Sequence, residues 1–392
     1  MDSIRNLFNI GNGPSSSHTM APQKAAEMFL NRHPDADFFL VELFGSLALT
    51  GRGHLTDYVI KKTLGEQRTK IVFNLQQSYN YHTNAMKFKA FKDDIQLEKW
   101  LVFSVGGGAL KELDEPRGFS KEEVYPHKKM TEILEYCHQE KINLVEYINR
   151  FDHDIKDYLE LVYDSMQKTI EKGLTTTGTL PGKLKVKRKA SSFYELYMKE
   201  KSFSKLLYAY ALATAEENAS GGIVVTAPTC GSSGVVPAVL FACRDYHHIA
   251  KEKIIEGLMI AGLFGNLIKF NASISGAEVG CQGEIGVACC MAAAAEAHFL
   301  GGNNDHLEYA AEIALEHHLG LTCDPVDGVV QIPCIERNAI AAAKAFDAAN
   351  YALMTSGKHY ISFDTVVEVM KETGYDLQAK YKETSTGGLA TK

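Results

Sequence analysis

The sequence lacks any apolar run approaching the roughly 20 residues needed to span a bilayer. Its most apolar stretches, Gly257 to Ile268 and Ala288 to Ala295, end after about a dozen residues, so they read as buried helices and no membrane association is expected. It also lacks an excess of positive charge. Lys and Arg number 41 against 48 Asp and Glu, a formal net charge of −7, which argues against a general electrostatic grip on nucleic acid. A small-molecule ligand is the better expectation. No apolar signal core follows Met1-Asp2-Ser3-Ile4-Arg5, which leads into a Gly/Pro/Ser stretch, so the protein is expected to be cytoplasmic. In that reducing compartment the eight cysteines should not form a disulfide framework. Also missing are a Gly-x-Gly-x-x-Gly fingerprint, a Walker-type lysine, a Cys-x-x-Cys pair, internal repeats and heptads.

What is present is an ordinary globular composition, 45% hydrophobic and 23% charged, in 392 residues. At roughly 100 to 200 residues per domain, that length argues for two domains, each able to bury a core. Residues 1–140 mix periods. Phe38 to Leu49 is a strand-like apolar run, Leu55 to Leu64 is helical, Met86, Phe88 and Ala90 alternate with Lys87 and Lys89, and Trp100 to Val105 reads as a strand. An α+β N-terminal domain follows from this. Residues 141–392 are dominated by long segments of helical spacing broken at Gly178 to Gly182, Ala227 to Gly234 and Asp324 to Pro333, which predicts a mostly α-helical second domain. The polar segment Lys111 to His127 is the expected connection, with a helix at Met130 to Lys141.

Four groups of residues could carry chemistry. Ser15-Ser16-Ser17-His18-Thr19 sets hydroxyls and an imidazole ahead of a helix near Ala21, which serves either as a capped N-terminal segment or as a carboxylate cradle. His82-Thr83-Asn84 precedes the alternating strand, and Gly106-Gly107-Gly108 ends another, as a tight turn or a loop approaching a ligand. Thr226 to Gly234 gathers hydroxyls, glycines and Cys230 before the apolar run from Val235. Seven of the eight cysteines lie between residues 230 and 334. Cys281, Cys323 and Cys334 each sit in a Gly- or Pro-bearing break beside helical sequence, where a thiol is either inert packing or faces a shared cavity. Cys289 and Cys290 fall inside an Ala-rich helix and read as packing.

Taken in order along the chain, these segments resemble the iron-sulfur L-serine dehydratases (L-serine ammonia-lyases) of bacteria. The likeness extends to Gly173-Leu174, Leu180-Pro181-Gly182, Glu216-Glu217-Asn218 and Thr386-Gly387-Gly388-Leu389-Ala390, and spans essentially the whole chain in a form with fused β and α parts. The resemblance implies a substrate-recognition domain over residues 1–140 and an iron-sulfur catalytic domain over residues 141–392. It assigns Cys281, Cys323 and Cys334 as ligands of a 4Fe-4S cluster, one iron being left open as a Lewis acid toward L-serine. It implies His18 or His82 as the base at Cα, and a substrate-binding set of Ser15, Ser16, Ser17, Thr19, Asn84, Gly106, Gly107 and Gly108, with Asn271 near the cluster. The products would be pyruvate and ammonia, a step of amino-acid catabolism feeding gluconeogenesis, in a homodimer or other homo-oligomer.

A pyridoxal-phosphate dehydratase makes the same product, but its Ser-x-Lys-x-Arg-Gly pattern is missing, so no pyridoxal phosphate is expected. The remaining rivals are an iron-sulfur lyase acting on L-cysteine or L-threonine and a non-catalytic amino-acid sensor. Two departures from the family stand out. Cys230 occupies a position where many members have Asn, and no cysteine follows Cys334 to cover the open iron. The second departure predicts an oxygen-labile cluster: aerobic incubation should deplete iron and activity together, and retention of both for hours would refute it.

Overall fold

The N-terminal part is built by alternation. In the computed structural model, which describes residues 1–113 and 123–392, the chain runs through strand β1 (Ile10–Asn12), helix α1 (Ala21–Arg32), strand β2 (Phe38–Phe44), helices α2 (Ser46–Thr50) and α3 (Thr56–Leu64), and strands β3 (Thr69–Asn74), β4 (Ala85–Lys92), β5 (Ile95–Ser104) and β6 (Leu110–Lys111). Residues 114–122, the middle of the expected connection, lie outside the described residues.

Five strands form one sheet in the order β3-β2-β4-β5-β6. β2 and β3 run parallel because α2 and α3 cross over between them; the other neighbours are antiparallel. Met86, Phe88 and Ala90 of β4 are buried. Lys87 and Lys89 between them face the opposite side, where their ammonium groups lie 3.6 and 2.8 Å from Glu42. Helix α1 covers the apolar face with Ala25, Ala26 and Phe29, and the Phe29 ring stacks on Trp100 at 5.9 Å. The run from Phe38 to Leu49 is not one strand. Gly45 breaks it at φ 55°, where a Cβ would meet the Thr83 carbonyl oxygen at 2.0 Å, and the chain turns there into α2.

From residue 130 the chain is almost wholly helical: α4 (Met130–Glu140), α5 (Leu144–Phe151), α6 (Ile155–Thr175), α7 (Ala190–Lys199), α8 (Phe203–Ala219), the short strand β7 (Ile223–Val225), α9 (Val235–His247), α10 (Lys251–Asn271), α11 (Gly276–Val279), α12 (Ile285–Phe299), α13 (Asn304–Glu316), α14 (Cys334–Leu353) and α15 (Phe363–Asp376). Helix α12 is apolar on every side, Cys289 and Cys290 included, and is therefore driven to the centre, enclosed by α9, α10, α13 and α14. Among the described residues α10 alone is long and apolar enough to cross a membrane. Its most apolar stretch is 78% buried within the helical body, the burial of a core helix.

The first dozen residues belong physically to the helical part. Met1, Ile4, Leu7 and Phe8 lie in its core, and β1 pairs antiparallel with β7. The segment that follows, residues 13–20, is thereby held against the helical body before the chain enters the sheet.

The centre of α12 also carries a carboxyl, Glu296, fully buried and beside the Cys243 thiol at 3.7 Å. Burial pushes its pKa up to about 8. Folded protein therefore holds a proton that unfolded chain releases near the ordinary carboxylate range, so stability falls as pH rises from about 4.5 to 8 and is flat above. Glu296→Gln should reduce that loss by about 5 kcal/mol at most. Melting temperatures at pH 5 and pH 8 test this; parallel pH dependence in the variant and the parent would refute it.

Candidate active site

Residues 16–20 form a single π-helical turn that runs into α1, a geometry that recurs at functional sites. Within it the Ser15 hydroxyl caps the turn by accepting from the His18 amide at 3.1 Å. The Thr19 hydroxyl donates to the His54 carbonyl at 2.7 Å. Thr19 therefore spends its hydroxyl holding the turn over His54, while Ser16 and Ser17 remain beside it, buried. The Ser104 hydroxyl, at the end of β5, donates to the Ser17 carbonyl at 2.8 Å and ties the sheet to this turn.

The imidazoles are distinguished by their partners. The single hydroxyl hydrogen of Ser46 goes to the Glu383 carbonyl at 2.8 Å, so Ser46 must accept from His18 Nε2–H at 3.1 Å. The network thus assigns the proton to Nε2 and leaves the Nδ1 lone pair of His18 toward the Ser17 hydroxyl at 2.8 Å. The Nδ1 of His82 accepts from the Asn84 amide at 3.0 Å. That lone pair is spent, and Nε2 lies 3.3 Å from Glu278 in a geometry too far off line for a good hydrogen bond.

His54, which sequence reasoning missed, packs its ring against His18 at 4.6 Å. The Thr50 carbonyl lies close to it, yet neither ring nitrogen completes a hydrogen bond. Burial holds His54 at about 4, and burial together with His54 and His82 holds His18 well below the ordinary imidazole value. Both rings are neutral at pH 7 and able to accept a proton.

The three glycines fit where side chains could not. Gly106, Gly107 and Gly108 all have positive φ. A Cβ on Gly106 would reach Ser275 at 3.2 Å and one on Gly107 would reach Ile274 at 2.9 Å, while Gly108 lies beside Ser16 and Met20. The loop is wedged between the 274–275 turn of the helical part and the serine turn. Asn84 is fully buried nearby in sequence to β4, with neither side-chain polar atom partnered, and the Ser275 hydroxyl is likewise unpartnered. Orphan polar groups are costly in a folded protein and point to a polar ligand. Asn271 does not join this site; its amide donates to the carbonyls of Lys128 and Leu267.

On the helical side Cys281, Cys323 and Cys334 come together as free thiols. Cys281 and Cys323 are within hydrogen-bonding reach of each other, and Cys334 and the Arg337 guanidinium lie within electrostatic range of Cys281. Donation from Cys323 and the charge of Arg337 hold the Cys281 thiol below its usual value despite burial, and burial pushes Cys334 up. Gly276 leaves room: a Cβ there would stand 3.2 Å from the Cys323 sulfur and 2.7 Å from Glu284. The Glu284 carboxylate accepts from the Thr229 hydroxyl and lies 3.7 Å from the Cys323 sulfur. Cys230 is close enough to Glu284 to feel its charge, but its thiol faces the Met20 sulfur at 3.8 Å. Three convergent thiols beside one partly buried cation suit a soft, anionic metal centre.

Glu383 joins the two halves and was also missed in the sequence. Its amide donates to the Cys323 carbonyl at 2.8 Å, its carbonyl accepts from Ser46, and its carboxyl lies 3.4 Å from His18 Nδ1. Burial, Glu284 and Cys281 push that carboxyl well above the usual range. Weak signals were available: Gly51-Arg52-Gly53-His54 is a glycine-rich turn bearing an imidazole, Glu284 lies inside the Cys281 segment, and Glu383 stands just before the Thr386 segment.

The serine dehydratase beta chain model matches residues 3–69 and the serine dehydratase alpha chain model matches residues 84–390. A Haemophilus influenzae protein named L-serine dehydratase is 40% identical over 454 aligned positions, covering 100% of this chain and 99% of its own. L-serine dehydratase 1 of Escherichia coli K12 is 39% identical, with 100% and 99% covered, and the L-serine dehydratase of Streptomyces coelicolor is 39% identical, with 99% and 98% covered. The alignments are longer than the 392 residues of this chain, so those relatives carry insertions relative to it. With both family models matched in one polypeptide and full-length likeness at this level, the chain belongs to the serine dehydratase family.

Proposed function

We propose that this protein is a lyase converting L-serine to pyruvate and ammonia, with Cys281, Cys323 and Cys334 holding a 4Fe-4S cluster. The observation that carries this reading is the meeting, at one seam, of three free thiols beside Arg337 with the serine turn, two neutral imidazoles and the glycine loop. When bound, the iron without a cysteine supplies Lewis acidity toward the substrate hydroxyl, a poor leaving group in the absence of an electron sink. The residues of the chain supply recognition and proton transfer.

The hydroxyls of Ser15, Ser16 and Ser17, the Asn84 amide and the backbone of Gly106 to Gly108 are proposed to hold the carboxylate, with Thr19 fixing the turn. Of the two histidines considered from sequence, His82 has its lone pair committed to the Asn84 amide. The Cα proton is therefore assigned to His18, whose Nδ1 faces a Ser17 hydroxyl that can turn to Ser15 instead, or to its neighbour His54, whose ring nitrogens are unpartnered. Loss of water then leaves aminoacrylate, which tautomerises to an imine and hydrolyses. The names of the relatives favour serine over threonine or cysteine. The protein is proposed to act in the cytoplasm as a homo-oligomer.

Anaerobic purification with iron and sulfide analysis, followed by an assay of serine conversion to pyruvate, tests the reading. About three or more irons per chain should accompany activity, and Cys281→Ala, Cys323→Ala or Cys334→Ala should abolish both. Full activity with fewer irons would refute the cluster. Replacing the base by Ala should lower kcat by about 10²- to 10⁴-fold. His18→Ala and His54→Ala are expected to bracket that loss, with His82→Ala milder; the reverse ranking would overturn the assignment.

A further inference from the structure

An α-amino acid brings an ammonium group as well as a carboxylate, and the recognition set above, whose acceptors are the neutral oxygens of serine hydroxyls and the Asn84 amide, contains no anionic acceptor for it. Resting on the serine dehydratase reading, we propose that the Glu383 carboxylate receives the α-ammonium group of the substrate and so sets specificity for amino acids over hydroxy acids.

Three carboxyl groups line the seam, and their partners separate them. Glu278 is half-exposed and engages the Ser273 hydroxyl and His82. Glu284 faces the Thr229 hydroxyl and lies 3.7 Å from the Cys323 sulfur, on the thiol side of the seam rather than beside the imidazoles. Glu383 is buried, its side chain only 8% exposed, and among the described residues no group donates a hydrogen bond to its carboxylate. The one close side-chain atom, His18 Nδ1 at 3.4 Å, is the nitrogen that the Ser46 hydrogen bond leaves without a proton. Without a donor or a cation the charged form of this buried carboxyl is costly, which is why its pKa is raised, and an arriving ammonium group offsets that cost.

The surroundings fit the rest of the substrate. One Glu383 oxygen, one His18 nitrogen and one His54 nitrogen all lie within 4.8 Å of one another. Two hydrogen bonds of ordinary length meeting at a tetrahedral nitrogen span about 4.7 Å, so a single small ligand reaches Glu383 and the imidazoles together. Seating the ammonium on Glu383 brings the carbon that bears it beside His18 and His54, the two rings proposed to take its proton. The serine turn that contains His18 then lies within reach of the carboxylate on the same carbon. The backbone bond from Glu383 to Cys323 keeps the acceptor in register with the thiol side of the site.

The test uses iron-loaded enzyme prepared without oxygen, with L-serine and with 3-hydroxypropanoate, which is serine without its amino group. Glu383→Gln should raise KM for serine at least tenfold with a smaller change in kcat, while inhibition by 3-hydroxypropanoate stays within twofold of the parent. Glu383→Asp should recover part of the serine affinity. An unchanged serine KM, or equal weakening of both ligands at unchanged iron content, would overturn the proposal. Calorimetric titration of L-serine into any of these proteins that makes no pyruvate reads binding alone. If the parent binds serine but makes no pyruvate, the catalytic reading fails while the role of Glu383 is still decided by whether Glu383→Gln abolishes that binding. If Glu383→Gln does not fold, the ratio of serine to 3-hydroxypropanoate affinity in Glu383→Asp decides, an unshifted ratio refuting the proposal.

Discussion

The structure depends on one short ladder of hydrogen bonds at the end of the chain. The Cys323 amide donates to the Tyr381 carbonyl and the Glu383 amide donates to the Cys323 carbonyl, while the Glu383 carbonyl accepts from Ser46. Residues 381–383 are thus stitched to the cysteine side by backbone and to the histidine side by a hydroxyl. Each of these bonds is worth about 1 kcal/mol in net stability. Their larger effect is positional, because they fix the separation of two groups that come from different halves of the chain.

That seam concentrates polar groups in a protein whose interior is mostly apolar. Around α12 the core is close-packed Ala, Cys, Leu and Ile, whereas the seam collects His18, His54, His82, Asn84, Glu284 and Glu383 within buried surroundings. Several of these have unpartnered atoms, an arrangement that costs stability and persists where a ligand repays it. Desolvation also explains the electrostatics: it keeps the imidazoles neutral at pH 7, with nitrogens that can accept a proton, and it raises the carboxyl of Glu383.

Much of this was legible from local pattern. The alternation of Met86, Phe88 and Ala90 marked β4, helical spacing marked α3 and the long helices, and glycine and proline marked the breaks. The serine turn, the glycine loop and the three cysteines were visible as clusters of chemistry-bearing residues. The split of Phe38 to Leu49 at Gly45 was not, because hydrophobicity alone does not report the contact with Thr83 that requires the positive φ. Thr19 illustrates a subtler limit: a hydroxyl in a recognition motif can be spent on its own fold, here on the His54 carbonyl.

The sequence by itself determined the α+β part, the helical part, the family and the types of residue available for chemistry, since these follow from periodicity, composition and ordered motifs. Only the tertiary structure decided which of them meet. His54 and Glu383 are 329 positions apart in sequence, yet one atom of each lies within 4.8 Å of the other and of His18. His18 and His82 likewise differ in their partners: His18 Nε2 faces Ser46 from another segment, and His82 Nδ1 accepts from the Asn84 amide. Such choices depend on backbone groups brought in from distant segments, and no local pattern encodes them.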